Sequence, residues 1–302
     1  MLALFGPTAC GKSAVAHALA GEVGGEVVVA DPFQRYRGLE VAADAPGPAA
    51  RAEVAYHFVG DLELHEDSHA GGFAHAAHAL VDDLVGQGRV PIVAGGTGLY
   101  LRAATCDLDM RPPPDADVRE WAEALAADPA AAMAELRRRA PDLAATTDPA
   151  NPRRVARALE RAHSGDARGG DIWAAPPRRP TLVVGLDRPR EVLHGLIAQR
   201  VRREMADGLI DELTAAAACP NLARGPAQVI GMGEARALAT GDIDIAQFEE
   251  AVNVRTRRLA RMQGTWMRRM SPDLQIDLGD GPSEAAVPSI VAAWRRAREG
   301  VG

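Results

Sequence analysis

The chain has 302 residues, 47% hydrophobic and 25% charged, with a net charge of −7. It is long enough for one large domain or a core plus an insertion, and its acidity argues against a uniformly basic nucleic-acid binder while leaving local patches open. The three cysteines, Cys10, Cys106 and Cys219, form no CxxC pair, which argues against a disulfide framework or a cysteine zinc site. No apolar run is long enough for a membrane helix and no leader segment is visible, so a cytoplasmic protein is expected.

The chain opens on the apolar run Leu2–Phe5, followed by Gly6-Pro7-Thr8-Ala9-Cys10-Gly11-Lys12-Ser13 and a helical segment over 13–20. Strand, G-x-x-x-x-G-K-S and helix in this order match the phosphate-binding loop. Gly6 and Gly11 allow the tight backbone path. Successive N–H groups and the helix N-terminus then face an anion. Lys12 would reach a phosphate oxygen and Ser13 would hold Mg²⁺. Lys12 is the single lysine among the 34 basic residues. A compact ammonium sits inside a loop too tight for a planar guanidinium. The motif predicts phosphate binding and leaves open whether phosphoryl transfer follows.

Residues 26–31 read as a buried parallel strand ending in Asp31. Ligands of open α/β sheets bind beyond the carboxyl ends of strands, so Asp31 is expected near the phosphates, as metal ligand, base or helix cap. The segment Pro32–Leu39 interleaves Phe33, Gln34, Arg35, Tyr36 and Arg37. It reads either as a surface for an exposed base or as a loop with an aromatic anchor. Residues 42–52 read as a loop. His57, His65, His69, His75 and His78 have no convincing metal-ligand spacing and read as scattered surface or helix residues. A helix is predicted over 73–87 and a strand over 90–94. The strand runs into the turn Gly95-Gly96-Thr97, where a hydroxyl and amides would face a transferring group.

Residues 111–149 change character: Arg111-Pro112-Pro113-Pro114 breaks the pattern, and alanine-rich charged helices follow over 117–127 and 129–140. This predicts a small, mobile helical insertion (111–149) in a core formed by 1–110 and 150–302. A helix starts at Asn151-Pro152, with Arg153 and Arg157 on one face. The stretch 164–180 reads as a loop and 181–187 as a core strand. Within 190–213 a helix carrying Arg190, Arg200, Arg202 and Arg203 is predicted to end near Gly208, and another helix is predicted over 246–269. In the latter, Phe248, Val252, Leu259, Met262 and Trp266 fall on one side and Arg257, Arg261 and Arg268 on the other. Six arginines and no acids lie between Asn253 and Arg269, a one-signed stripe that points to a polyanion.

Taken in order, Gly6–Ser13, Asp31-x-x-Gln34-x-Tyr36-Arg37-Gly38, Gly95-Gly96-Thr97-x-Leu99-Tyr100, Asn151-x-Arg153-Arg154-x-x-Arg157, Arg200 and Thr256-Arg257-x-Leu259-Ala260-x-x-Gln263-x-Thr265-Trp266 resemble the tRNA dimethylallyltransferase (tRNA isopentenyltransferase) family. The resemblance spans nearly the whole chain. It implies a P-loop NTPase-like α/β fold, a parallel sheet flanked by helices. It also implies transfer of a dimethylallyl group from its diphosphate to the exocyclic amine of the adenine beside the anticodon. In that reading Gly6, Pro7, Thr8, Ala9, Cys10, Gly11, Lys12 and Ser13 hold the diphosphate, and Lys12, Arg200 and Ser13-bound Mg²⁺ stabilise the leaving group. Asp31 accepts the amine proton and Thr97 positions a substrate. Asp31, Pro32, Phe33, Gln34, Thr97, Arg119, Arg153, Arg154, Arg157, Arg257 and Arg261 meet the anticodon stem-loop of tRNA. A monomer is expected.

The chain also departs from the family. Pro32 replaces a serine after the aspartate. Ala42-Ala43-Asp44-Ala45-Pro46 brings an acid into a stretch where the family carries lysine. Gly231-Met232-Gly233 lacks an aromatic and a cation. These departures keep three alternatives open: adenylate isopentenyltransferase acting on AMP, ADP or ATP; a P-loop small-molecule kinase; and a non-catalytic RNA-binding remnant.

Overall fold

A computed structural model describes residues 1–108, 110, 114–165 and 173–299. Most of the expected break at 111–114, and residues 166–172 of the expected loop, lie outside the described residues. The chain divides into two compact units, Met1–Leu108 with Ala175–Gly302, and Asp109–Ala174.

In the first unit, strand β1 (Leu2–Phe5) leads to helix α1 (Lys12–Val23) and strand β2 (Gly25–Val29). Helix α2 (Pro48–Glu53), strand β3 (Tyr56–His57), helix α3 (Ala70–Gly86), strand β4 (Val90–Gly95) and helix α4 (Gly98–Thr105) follow. The second unit holds helices α5 (Ala116–Ala126), α6 (Pro129–Arg139), α7 (Pro141–Thr146) and α8 (Pro152–His163). The first unit resumes with strand β5 (Leu182–Asp187), then helices α9 (Arg190–Ala206), α10 (Leu209–Ala217), α11 (Met232–Thr240) and α12 (Ile245–Met270), strand β6 (Leu274–Asp277) and helix α13 (Val287–Glu299).

The six strands form one parallel sheet in the order β3-β2-β4-β1-β5-β6. All four residues of β1 are fully buried. A parallel strand covered on both faces needs such a continuous apolar run. Leu4, Leu19, Ile92, Leu186, Ile197 and Phe248 belong to one core. Phe5 is in register with Gly95 on one side and Gly185 on the other, so the phosphate loop leaves the middle of the sheet at its carboxyl edge. A Cβ at Gly6 would be driven into the carbonyl oxygen of Leu186.

The second unit has its own core of Ala122, Met133, Leu136, Leu143, Val155 and Leu159. Asp128 caps α6 by accepting from the Ala130 and Ala131 amides, and Asn151 caps α8 by accepting from that of Arg154. The boundary between the units differs from the expected 111–149. Helix α8 buries Val155, Ala156, Ala158 and Leu159 in the alanine-rich core, so it stays with that unit and the first unit resumes near residue 175.

Further differences have local causes. The expected loop at 42–52 includes α2, started by Pro48 in its first turn. The helix expected to end near Gly208 does so as α9, and Gly208, at a left-handed φ of 94°, starts α10. Helix α12 is turned roughly a quarter turn from the expected facing. Val252, Asn253, Thr256, Ala260, Gln263 and Met267 are buried, whereas Leu259 and Trp266 are half-buried and Met262 is exposed. Periodicity favours the most apolar side, but this helix turns a polar stripe inward, and its Gln263 meets the phosphate loop.

Gly6→Ala is expected to cost about 2–3 kcal/mol, the scale of overpacking against atoms that cannot yield. Gly21→Ala, whose Cβ would enter open space on helix α1, is expected to stabilise by about 0.5–1 kcal/mol. Denaturant unfolding of both variants checks the pair; equal effects would contradict the packing at Gly6.

Candidate active site

The phosphate loop joins β1 to α1. Gly11, at a φ of 103°, turns the chain into the helix, and no side chain caps the first turn of α1. At this helix start the helix dipole favours an anion. The rest of the loop is fastened from outside. The Thr8 amide donates to Gln263 Oε1 at 2.7 Å. Arg200 Nη1 donates to Thr8 Oγ1 at 2.7 Å. Arg188 Nε donates to the Cys10 carbonyl at 2.9 Å and reaches on to the Gly279 carbonyl and Ser283 Oγ. Lys12 Nζ rests on the Pro7 carbonyl at 2.8 Å. Cys10 is fully buried, and burial pushes its thiol up, so it packs rather than reacts.

Asp31 lies two residues beyond β2, beside the ends of β4 and β1. Its Oδ1 accepts from the Phe33 amide at 2.9 Å, an Asx turn with Pro32 in the middle. The Phe33 and Gln34 amides supply the hydrogen bonds to the carboxylate, so the N–H that proline lacks is not needed. Desolvation pushes the Asp31 carboxyl above the usual range, against the opposing pull of those amides, Lys12 and Arg200. A carboxylate more basic than an ordinary aspartate, beside cations that await an anion, suits a general base.

Arg200 comes from α9. It is mostly buried, paired through Nε with Glu204 at 2.6 Å and through Nη1 with Asp44 at 3.2 Å. Thr97 forms the N-cap of α4, half-buried, with no hydrogen bond from its side chain to the helix amides. Ser13 is exposed at the start of α1. Magnesium usually keeps several waters and takes one or two protein oxygens plus substrate phosphates. The Ser13 hydroxyl fits that role. Among the described residues no three His, Cys, Asp or Glu side chains gather into a protein-only cage.

The structure thus gathers Gly6–Ser13, Asp31, Thr97 and Arg200 at the carboxyl ends of β1, β2 and β4. The reading of 32–39 as a surface for an exposed base is corrected at two positions. Arg35 is buried against Asp61 and Ser68, over the Phe58 and Phe73 rings. Tyr36 is buried and accepts from the Ser68 amide. Both consolidate the core. Phe33 and Gln34 are half-buried, and Gln34 donates to the Ala43 and Asp44 carbonyls. Met232 is fully buried, a core residue. Arg119 is half-buried on α5, while Arg153, Arg154 and Arg157 are exposed on α8, Arg157 pairing with Glu160. On α12, Arg255 and Arg257 pair with Glu234 and Glu250. Arg258, Arg261 and Arg269 are exposed and make no ion pair among the described residues. Sequence reasoning missed Arg188 altogether and saw Gln263 only as part of a motif. A glutamine in register with Thr256, Ala260 and Met267 was the available signal.

Asp31→Asn is expected to lower turnover at least a hundredfold while leaving polyanion binding near normal. Because the folded carboxyl titrates above the usual range, the base is lost as pH falls through that raised value. The acid limb of kcat/KM is therefore expected above the ordinary carboxylate range and absent from the residual rate of Asp31→Asn. An acid limb at the ordinary value would contradict the desolvated base.

A family model described as IPP transferase matches residues 34–270. The chain is 41% identical over 275 residues to a tRNA dimethylallyltransferase of Anaeromyxobacter sp. (strain Fw109-5), covering 89% of this chain and 91% of that protein. It is similar in structure to the full-length tRNA isopentenylpyrophosphate transferase of Bacillus halodurans, at 27% identity and a TM-score of 0.74, over 99% of this chain and 96% of that one. A eukaryotic dimethylallyltransferase acting on tRNA shares the fold, with a TM-score of 0.79 at 21% identity, over 97% of this chain and 77% of that one. The ordered motifs, the parallel sheet and these similarities agree: the chain belongs to the IPP transferase family, that of the tRNA dimethylallyltransferases.

Proposed function

We propose that this chain transfers the dimethylallyl group of dimethylallyl diphosphate to the exocyclic amine of the adenine beside the anticodon in tRNA. The observation that carries the reading is the desolvated Asp31 carboxylate, within the influence of both Lys12 and Arg200, beside the phosphate loop. In the reaction the allylic carbon–oxygen bond breaks, and its electron pair leaves on the diphosphate. The amine nitrogen bonds to that carbon and gives its proton to an Asp31 carboxylate oxygen. Charge on the leaving diphosphate grows as the bond breaks, so Lys12, Arg200 and the amides of Gly11–Ser13 stabilise the transition state more than the ground state. A magnesium ion held through Ser13 would neutralise part of the same charge. Lys12 has only to swing from the Pro7 carbonyl to a phosphate oxygen. Thr97 positions the adenine or the diphosphate.

An adenine in a folded anticodon loop must be splayed out to reach this site. Arg258 and Arg261 suit pairing with the tRNA backbone, and Arg119, Arg153, Arg154 and Arg157 give the helical unit a tRNA-side role of its own. The protein acts as a monomer in the cytoplasm. No helix among the described residues is long and apolar enough to cross a membrane. Free adenine nucleotides, a kinase reaction and simple RNA binding are less favoured, because the relatives bear the name tRNA dimethylallyltransferase.

The direct check is to offer labelled dimethylallyl diphosphate and Mg²⁺ with unmodified tRNA in one reaction and AMP in another. Label in tRNA alone is expected; label in AMP alone would move the chain to free-nucleotide prenylation. Arg258→Ala with Arg261→Ala is expected to weaken tRNA binding and to reduce the slope of log K against log salt by about one for each phosphate that these arginines neutralise. An unchanged slope would mean that they only solvate α12.

A further inference from the structure

The turn that carries Asp44 is unusually well fastened. Val41 and Ala42 donate their amides to the Glu212 carboxylate at 2.9 and 2.8 Å. Gln34 Nε2 holds the Ala43 and Asp44 carbonyls. Asp44 has a φ of 51°, a left-handed conformation that aspartate and asparagine tolerate better than most residues. The turn places one carboxylate oxygen 2.6 Å from Arg203 Nη2 and the other 3.2 Å from Arg200 Nη1. That same Arg200 nitrogen reaches Thr8 in the phosphate loop.

Arg200 does not need Asp44 to stay in place. Glu204, itself almost wholly buried, holds Nε, and Thr8 Oγ1 holds Nη1. Asp44 adds a second negative charge at the same Arg200 Nη1 that reaches the phosphate loop. Arg203 is more than half exposed and gives the carboxylate an alternative partner.

We infer that Asp44 is a competing counter-ion of Arg200. It neutralises the guanidinium when the loop is empty, turns to Arg203 when a diphosphate occupies the loop, and reclaims Arg200 when the product diphosphate leaves. It touches no reacting atom and acts through Arg200, so it is a positioning residue. This inference rests on the proposed role of Arg200 toward the diphosphate.

The test is calorimetric titration of inorganic pyrophosphate with Mg²⁺ into the full chain, Asp44→Asn, Arg200→Gln and the double variant. Asparagine keeps the left-handed turn and removes only the charge. Asp44→Asn is expected to bind pyrophosphate on the order of fivefold tighter, the scale of one partly exposed charge pair. Pyrophosphate product inhibition and the KM for dimethylallyl diphosphate should shift by the same factor in the tighter direction. The gain is expected to vanish in the Arg200→Gln background, as coupled groups require. Asp44→Gly carries the same expectation should the asparagine variant fold poorly. Equal or weaker binding by the charge-free variants would overturn the inference alone, as would the same gain without Arg200. No pyrophosphate binding by the unaltered chain would overturn the reading of the phosphate loop and this inference with it.

Discussion

The site depends on one constraint: the backbone of Gly6–Ser13 must be held in the tight path that joins β1 to α1. Here three side chains from distant segments hold it. Gln263 takes the Thr8 amide, Arg200 the Thr8 hydroxyl and Arg188 the Cys10 carbonyl. Arg188 also ties the loop to the Gly279–Ser283 segment. The long helix α12, opened by a capping box at Asp244 and Gln247, thereby serves the loop as well as the core.

The second constraint is electrostatic. Lys12 and Arg200 bring positive charge beside the phosphate loop, and Asp31, Asp44 and Glu204 lie within their electrostatic reach. Burying charges of both signs is tolerable only where each has a partner. Desolvation outweighs the cations around Asp31 and holds its carboxyl above the usual range. Pro32, the most conspicuous departure beside the base, sits inside an Asx turn whose hydrogen bonds come from the next two amides. The replacement leaves the carboxylate's support intact.

Much of this was legible in the sequence, for physical reasons. Buried parallel strands are continuous apolar runs, so β1, β2, β4 and β5 were visible, and the loop spelled out its own turn chemistry. Asp31 was legible as a carboxylate at the end of such a run. What stayed hidden depends on partners far away in the chain. Gln263 meets Thr8 across 255 positions, so nothing local says that α12 turns its polar stripe inward. Arg35 and Tyr36 look like ligand-facing groups until Asp61 and Ser68 are seen to satisfy them. Helix α8 was expected with the core segment 150–302, although its alanine and leucine face closes the helical unit. The departure at Asp44 was visible as a charge, while its consequence needed Arg200 and Arg203 beside it.

A phosphate loop that stabilises a departing diphosphate while Asp31 takes the proton of an adenine amine ties the two products of the proposed reaction together. The most direct measurement follows both products of one reaction: the phosphorus species released and the nucleosides recovered from digested tRNA. One inorganic pyrophosphate for each N6-dimethylallyladenosine, formed at a single position beside the anticodon, is the predicted result. Release of orthophosphate or a nucleoside diphosphate, or label on any other atom of the tRNA, would contradict it.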